Sequence, residues 1–521
     1  MLLSFVVSLL YAVAFSPLSS ATSVSQWIGP RVRVKNGTLE GVYNHAYHQD
    51  FFLGIPYAAP PVGDLRFRLP EPAPSWSKTK NVHTYGAWCM SRTLHLPGFS
   101  QNVTGAMSED CLTLNVVRPA GYSRRDKLPV LAWIHGGGYV EGGSADGRYN
   151  GSFLVQQSVE MGTPLIFVSF NFRLGVFGHL SGPEIREAGV ENIALHDQRQ
   201  ALRWIQDNIL QFGGDPSRVT IMGESAGATS VGGHLLAFGG RDDGLFSAAI
   251  AESGGPIPFF PIPNENSRAE TFRTVLNTTN CTNSAEPLSC LRAVSAEDLN
   301  SAVERLGPAA FSIVPDDMLL PEVNSQLVNA GRFVKVPLLI GSNRNEGTAF
   351  LQAGGFLPQN KNLTELIQFF YGTALTRELV QRWDDLYQEE IKTPSVAGLG
   401  TVLSDGGSAT DQDYGKNSLW LGDWLFTAGR RHACQAWADR DVPCYSYLFD
   451  VGTANVDRER MGVAHFQEIP FVFGNVDGVG WEVSPYPHDQ PEKNRLRAVA
   501  REMSRRWINF AVTQSPNSRG R

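Results

Sequence analysis

Short apolar runs alternate with amphipathic segments through the first half of the chain. The runs are rich in β-branched and other apolar residues, which is typical of strands covered on both faces. In the stretch Asp197–Phe212 (DQRQALRWIQDNILQF), apolar residues recur at helical spacing, and Gly213 follows directly after it. Strand, helix and strand in this order predict an α/β fold, a mostly parallel sheet with helices on both faces. The apolar runs are Leu128–Ile134, Pro164–Phe170, Arg218–Met222, Phe246–Ala251, Val336–Ile340 and Cys444–Phe449.

The N-terminus has a secretory pattern. Leu2–Phe15 is almost unbroken apolar sequence, Pro17 ends it, and Ser19-Ser20-Ala21 supplies small residues for cleavage. An apolar stretch of about 14 residues falls short of the roughly 20 needed to span a bilayer, which favours a signal peptide over residues 1–21 rather than a membrane anchor. Because no repeat or long linker divides the remainder, residues 22–521 are expected to form one domain with long loop insertions.

Net charge narrows the range of partners. The 521 residues include 44 Lys and Arg against 51 Asp and Glu, for a formal charge of −7. The two signs are interspersed, and no run of basic residues stands out. Nucleic acid and anionic membranes are therefore not expected as partners.

The cysteines and the glycosylation sequons agree with secretion. The six cysteines lie in three sequence-local pairs, although six cysteines permit many connectivities. None has the C-x-x-C spacing of a zinc site or redox dithiol, so disulfides in an oxidising compartment are favoured, while buried free thiols stay an alternative for the third pair. The pairs are Cys89 with Cys111, Cys281 with Cys290, and Cys434 with Cys444; the sequons are at Asn36, Asn102, Asn150, Asn277, Asn362 and, beside a cysteine, Asn280.

The motif Gly223-Glu224-Ser225-Ala226-Gly227 matches G-x-S-x-G and follows an apolar run directly. The pattern alone is weak in a chain with 52 glycines. Its position is what a nucleophile needs, because a tight strand-to-helix turn exposes the hydroxyl and the glycines allow close packing of strand and helix. Ser225 is therefore the candidate nucleophile.

A second glycine motif, His135-Gly136-Gly137-Gly138, follows the apolar run Leu128–Ile134. A flexible turn is the alternative interpretation. Together with the serine motif, this glycine motif favours an oxyanion hole in which the backbone N–H groups of Gly137, Gly138 and Ala226 converge on a developing alkoxide. No Gly-Lys-Ser/Thr follows, which excludes a phosphate loop.

A serine nucleophile needs a base and an acid. For a G-x-S-x-G serine on an α/β sheet, the three residues follow one another along the chain in the order Ser, acid, His. His465 precedes an apolar run that would hold it rigidly, and Glu346 follows the run VPLLIGS at a carboxyl end of the sheet. No ligand cluster has metal-binding spacing, so neither a metal nor a cofactor is expected. The alternatives are His432 and His488 for the base, and Asp316 and Asp317 for the acid.

In its ordered motifs the chain resembles the type-B carboxylesterase/lipase family, the cholinesterase-like α/β-hydrolases, and within it a secreted fungal member. The motifs include FLGIPYAAPPVGDLRFRLPEP, SEDCLTLNV, HGGGYVEGGS, GESAGATS, GSNRNEGTAF and GVAHFQEIPFVFG, within about Gly37 to Ser515. The resemblance implies a Ser225–His465–Glu346 triad, the three oxyanion donors above, and Glu224 and Ser253 as partners inside the site. It also implies the disulfides Cys89–Cys111 and Cys281–Cys290, and the ion pairs Arg66–Glu109 and Arg173–Asp197.

The loop between Cys89 and Cys111 departs from the cholinesterases, which hold a cation on an aromatic face there. Here it is short and contains one Phe and no Trp or Tyr. We therefore expect a secreted serine carboxylesterase acting on small-molecule esters with short or medium acyl chains, rather than on choline esters. A lipase or sterol esterase of the same family is the alternative, and a non-catalytic binding protein on this fold is a weaker one.

Overall fold

A computed structural model describes residues 29–101, 105–258, 263–304, 306–307, 310–352, 361–372, 374–392 and 409–517. The predicted signal peptide, residues 1–21, and the sequon at Asn102 lie outside these ranges. All further statements concern the described residues.

Twelve strands are assigned in this part of the chain. Nine of them form one sheet, in the order β12-β11-β10-β9-β7-β8-β6-β4-β3, and three form a small separate sheet, β1-β2-β5. They are β1 (Arg31–Val34), β2 (Gly37–Glu40), β3 (Val42–Asn44), β4 (Gln49–Pro56), β5 (Lys80–Asn81), β6 (Thr113–Pro119), β7 (Leu128–Ile134), β8 (Ile166–Phe170), β9 (Gly214–Glu224), β10 (Ala248–Glu252), β11 (Leu338–Asn343) and β12 (Cys444–Phe449).

The large sheet is mostly parallel, as predicted. The run from β12 through β9 and β7 to β8 is paired in parallel, and only β6, β4 and β3 join antiparallel at one edge. Each of the six predicted apolar runs contains or overlaps one parallel strand. Every residue of β7, β8, β10 and β11 is buried, which requires that both faces of the sheet be covered.

Helices connect these strands. The predicted helix Asp197–Phe212 is shifted in the structure: the α-helix runs over Ile193–Asn208, and the last predicted turn, Ile209–Phe212, is a 3₁₀ turn that ends at Gly213 with φ 92°. The helices are α1 (Ser152–Glu160), α2 (Gly175–His179), α3 (Pro183–Glu187), α4 (Ile193–Asn208), α5 (Ala226–Gly240), α6 (Glu265–Thr278), α7 (Pro287–Ala293), α8 (Ala296–Glu304), α9 (Asn324–Asn329), α10 (Gly347–Gln352), α11 (Leu363–Tyr371), α12 (Arg377–Lys392), α13 (Ala409–Gly422), α14 (Ala428–Ala438), α15 (Arg458–Met461), α16 (Ile469–Val472) and α17 (Gln490–Thr513).

Disulfides and buried ion pairs tie the loops to this core. All three sequence-local cysteine pairs are bonded, including Cys434–Cys444, which spacing left open. Both ion pairs implied by the resemblance are present and largely buried. Arg66 Nη2 lies 2.6 Å from Glu109 Oε2, and Arg173 Nη2 lies 2.6 Å from Asp197 Oδ1.

No helix in the described ranges is both long and apolar enough to cross a membrane.

Candidate active site

Ser225 lies on a strained turn between β9 and α5. Its backbone has φ 56° and ψ −121°, an unfavourable conformation for a residue with a Cβ, and its N–H donates to the carbonyl of Glu252 at 2.9 Å. The turn is tight because Gly227 lies against β7: a Cβ there would come within 2.0 Å of the Ile134 carbonyl oxygen. Strand, turn and helix thus present the serine side chain at the carboxyl edge of the sheet.

The glycine motif after β7 lies beside this turn. We call residues 135–141 the oxyanion loop. A Cβ on Gly136 would lie 3.1 Å from the Cβ of Ser225, so the loop and the serine are in direct proximity. Gly137 and Gly138 have φ of 103° and 58°, values that side chains disfavour, so glycine is required to turn the backbone here.

His465 and Glu346 form a hydrogen-bonded pair in the interior. His465 Nδ1 lies 2.6 Å from Glu346 Oε2, and both side chains are almost fully buried. The imidazole is packed between the rings of Phe350 and Phe426, with ring centroids 5.1 and 4.9 Å away. The Glu346 carboxylate therefore fixes the orientation of the imidazole. The other ring nitrogen, His465 Nε2, has no hydrogen-bond partner among the described residues.

Two asparagines join the loop that carries Glu346 to the loop that carries His465. The Asn345 side-chain oxygen accepts from the Val463 N–H at 2.9 Å, and the Asn345 N–H donates to the Val463 carbonyl at 2.9 Å. The Asn343 amide donates to the Ala464 carbonyl at 2.8 Å, and the Asn343 N–H donates to Glu346 Oε1 at 2.6 Å. These bonds hold Glu346 and His465 next to each other, although the two residues are far apart in the chain.

Glu224 faces the other side of the imidazole. Its Oε1 lies 3.1 Å from His465 Nε2, but the two atoms are not aligned for a hydrogen bond. Complete burial, reinforced by the nearby carboxyls of Glu468 and Glu346, raises the pKa of Glu224 well above its usual range. Burial therefore favours the neutral form of the Glu224 carboxyl.

Two further buried glutamates complete the cluster, and sequence reasoning missed both. Glu468 accepts from Asn343 Nδ2 at 2.6 Å and from Ser253 Oγ at 3.3 Å. Glu252 accepts from Trp507 Nε1 at 2.6 Å. Each is a carboxylate within or at the end of an apolar run, and that signal was available in GVAHFQEIPFVFG and in AAIAE.

Burial governs the protonation of these two acids. Burial and the neighbouring Glu346 raise the pKa of Glu468 to about 7, opposed by His465 and by the Asn343 hydrogen bond. Burial and Glu468 raise the pKa of Glu252 well above its usual range, against the lowering effect of the Trp507 hydrogen bond.

The alternative acid and base candidates lie elsewhere. Asp316 accepts from the Asn192 amide at 2.7 Å and from the Leu320 N–H at 2.8 Å, which gives it a structural role, and Asp317 is exposed. His432 is exposed and contacts Asn329, and His488 is also exposed. The structure brings none of them to His465 or Glu346.

No cluster of metal-binding side chains is found in the described part of the chain. An arrangement with a serine on a strained turn, an oriented imidazole and a glycine loop beside the serine is suited to acyl transfer.

Comparison with known proteins finds relatives over nearly the whole chain. The family described as "Carboxylesterase family" matches residues 29–521. A secreted triacylglycerol lipase of Gibberella zeae is 33% identical over 452 residues, which cover 81% of this chain and 75% of that protein. Acetylcholinesterase of Electrophorus electricus is 32% identical over 513 residues, or 90% and 77% of the two chains. The crystal structure of Aspergillus niger EstA superimposes with a TM-score of 0.77 at 29% identity, over 94% of this chain and 90% of that one.

Proposed function

Because this chain belongs to the carboxylesterase family and is a carboxylic ester hydrolase with the α/β-hydrolase fold, we propose that it works through an acyl-enzyme on Ser225. One observation carries the proposal: the strained Ser225 turn lies in the same buried site as a histidine held at 2.6 Å by Glu346. The roles follow from this arrangement, with Ser225 as nucleophile, His465 as base and Glu346 as the acid that orients it.

In the proposed reaction His465 Nε2 takes the proton of Ser225 as the serine oxygen attacks the ester carbonyl. The N–H groups of Gly137, Gly138 and Ala226 stabilise the resulting oxyanion. His465 then protonates the leaving alcohol, and a water molecule repeats the sequence on the acyl-enzyme to release the acid. Glu346 stabilises the imidazolium formed in each half of the cycle.

For the substrate we propose soluble or short-to-medium acyl esters. The loop between Cys89 and Cys111 is short, and its one aromatic residue, Phe99, is buried against Phe466 at a centroid distance of 4.7 Å. Long-chain triglyceride is the second candidate, because the relatives of this chain include a secreted triacylglycerol lipase. A sterol ester is the further alternative within the family.

We also propose that the protein is secreted as one domain, residues 22–521, after removal of residues 1–21. Secreted relatives and three disulfides support an extracellular location. The larger of two hydrophobic clusters has members from Val32 to Ala511, and this extent supports a single domain. Of the proposed glycosylation sites in the described ranges, Asn277 and Asn362 are exposed, and Asn36 and Asn150 are half-buried.

The test is a comparison of the secreted wild type with Ser225→Ala on p-nitrophenyl esters from acetate to palmitate. We expect hydrolysis by the wild type that falls with increasing chain length, and loss of about 10⁴-fold or more of kcat in the variant. Diethyl p-nitrophenyl phosphate should add one covalent diethylphosphoryl group to Ser225, detected by peptide mass spectrometry, and none to the folded variant.

Activity retained in folded Ser225→Ala would refute the acyl-enzyme proposal. A preference for emulsified palmitate or olein over soluble butyrate would establish the lipase alternative. Folded wild type that hydrolyses no ester would favour a non-catalytic binding protein.

A further inference from the structure

The loop closed by the first disulfide packs directly on the oxyanion loop. We call residues 89–111 the disulfide loop, of which 102–104 lie outside the described residues. Its Arg92 N–H donates to the Val140 carbonyl at 2.8 Å. Its Phe99 ring would lie 3.2 Å from a Cβ on Gly137. The two loops therefore meet on the side of Gly137 that a side chain would otherwise occupy.

A buried glutamate connects the two loops most directly. Glu141, the last residue of the oxyanion loop, is 5% exposed. Its Oε2 accepts from the Leu94 N–H at 2.7 Å and from the Ser100 hydroxyl at 3.3 Å, and both donors belong to the disulfide loop. Burying a carboxylate costs free energy unless hydrogen-bond donors satisfy its oxygens, so Glu141 depends on these two donors.

The backbone of the same residue shapes the turn at Gly137. The Glu141 N–H donates to the Gly137 carbonyl at 2.9 Å, and the Val140 N–H donates to the same oxygen at 3.0 Å. The Glu141 carbonyl oxygen lies on the open face of Gly137, where a Cβ would come within 2.2 Å of it. Glu141 therefore closes the turn from which the Gly137 and Gly138 N–H groups project.

The geometry points to Glu141 as a positioning residue for the oxyanion hole, which locks the Gly137 turn against the disulfide loop through its side-chain bonds to Leu94 and Ser100. This inference rests on the proposed function, since it presupposes that Gly137 and Gly138 stabilise the oxyanion. A hole built from backbone N–H groups is effective only when those groups are held rigidly in place. Glu141 contacts no reacting atom in this arrangement and acts through the turn.

Arg148 makes a further contact with the disulfide loop, at Phe99. The Arg148 guanidinium donates to the Phe99 carbonyl, and it lies 5.1 Å from the centroid of the Phe99 ring and 4.8 Å from that of Phe466. Phe466 directly follows His465. Arg148 thus holds Phe99, and Glu141 holds Leu94 and Ser100, so this part of the disulfide loop packs as a backing for the turn.

The experiment compares Glu141→Ala and Glu141→Gln with the wild type in full-length secreted protein. On p-nitrophenyl butyrate, we expect Ala to lower kcat about tenfold with KM changed less than about twofold, because the lost interaction acts on the transition state. The Glu141→Gln variant keeps a side-chain oxygen that can accept from the Leu94 N–H, so its kcat should stay within about threefold of the wild-type value. The inhibition constant of a trifluoromethyl ketone, whose adduct places an oxyanion in the hole, should rise with Ala by the same factor as kcat/KM falls.

The matched control is Glu191→Ala. Glu191 is an equally buried glutamate, held by Arg186 at 3.1 Å and by Arg268 at 3.3 Å, and the site does not use it. The Glu191→Ala variant should have a lower Tm than the wild type. Its kcat should be unchanged when it is measured at a temperature well below that Tm. A purely structural Glu141 would behave in the same way.

The inference is overturned if folded Glu141→Ala keeps kcat within twofold of wild type, or if Gln is as impaired as Ala. If the Ala variant does not fold, Ser100→Ala, which removes one of the two donors, replaces it: about a threefold loss of kcat supports the inference, and wild-type kcat overturns it. Failure of the proposed function is seen separately, as an inactive wild type or an active Ser225→Ala.

Discussion

At the scale of single residues, burial decides the charge of this site. Four buried glutamates interact with one another in this site, and ionising all of them in the interior would be prohibitive. Burial raises the pKa of Glu224 and of Glu252 well above the usual range, which favours the neutral form of both carboxyls. Glu346 differs in its contacts, because it accepts from the imidazole and from the Asn343 N–H. One carboxyl is thus equipped to orient His465.

Replacing Glu346 with Gln tests that assignment. The amide retains the shape but does not compensate an imidazolium and does not enforce one tautomer, so kcat should fall by about 10³-fold with little change in KM. Initial rates on p-nitrophenyl butyrate measure this. Asp317→Asn is the control, since Asp317 is exposed, and it should keep wild-type rates. Full activity in Glu346→Gln would remove Glu346 from the triad.

Glu468 should give stability a distinct pH dependence. Its pKa is about 7 in the folded protein and near 4.5 in the unfolded chain, so the folded state binds the proton more tightly. Its contribution to stability is therefore complete below about pH 4.5 and is lost as the pH rises through about 7.

Glu468→Gln cannot ionise, so the Tm of the variant minus that of the wild type should increase from about pH 5 to about pH 7 and level off above about pH 8. Thermal unfolding across this range measures it, with the exposed Glu297→Gln as control. A Tm difference independent of pH would show that Glu468 does not titrate in this window.

At the scale of elements, the parallel sheet assembles the site. β7, β9, β10 and β11 all end at the same edge, so the oxyanion loop, Ser225, Ser253 and the Glu346 loop meet there. Helix α17 contacts the same edge, at the end of β10. Its Trp507 side chain donates to the Glu252 carboxyl, and the Glu252 backbone carbonyl accepts from the Ser225 N–H, so the helix braces the Ser225 turn.

Trp507→Phe should therefore affect both stability and activity. It leaves a buried oxygen of Glu252 without its donor, at a cost of about 1–3 kcal/mol in the free energy of unfolding, and should lower kcat severalfold by loosening the turn. Urea unfolding and initial rates measure the two effects. Trp437→Phe is the matched control: its indole N–H donates to the Val336 carbonyl at 3.0 Å, outside the site, and should cost stability alone. Equal kcat in the two variants would contradict the bracing role.

At the scale of the whole molecule, one large hydrophobic cluster spans the sheet and the helices around it, and a second, smaller cluster includes Leu496 and Ala500 of α17. Three disulfides crosslink segments that are close in the chain. The disulfide Cys89–Cys111 closes the loop that backs the oxyanion loop.

Secretion is tested on the intact protein. Expressed in a eukaryotic host, it should appear in the medium with Thr22 as its first residue, since cleavage after Ala21 fits the small residues there. Treatment with an N-glycosidase should lower its mass and convert glycosylated Asn277, an exposed sequon, to Asp. Retention in the cell with residues 1–21 attached would contradict the secretion proposal, and an unchanged mass would contradict glycosylation.

The sequence alone determined the α/β class, the positions of the parallel strands and a short set of candidate residues. Buried strands leave continuous apolar runs, and local turns leave glycines at G-x-S-x-G and HGGG, so both signals are readable along the chain. The end of α4 was misplaced by one turn, because a 3₁₀ turn carries the same apolar spacing at Ile209–Phe212.

Only the tertiary structure decided which distant residues meet. Spacing left Glu346, Asp316 and Asp317 open as acids, and the 2.6 Å contact with His465 distinguishes Glu346 in the fold. The clustering of Glu252 and Glu468 with Glu224, and the Glu141 link between two loops, depend on segments separated by tens to hundreds of residues. Their energies arise from burial and from hydrogen-bond geometry, and neither exists until the chain has folded.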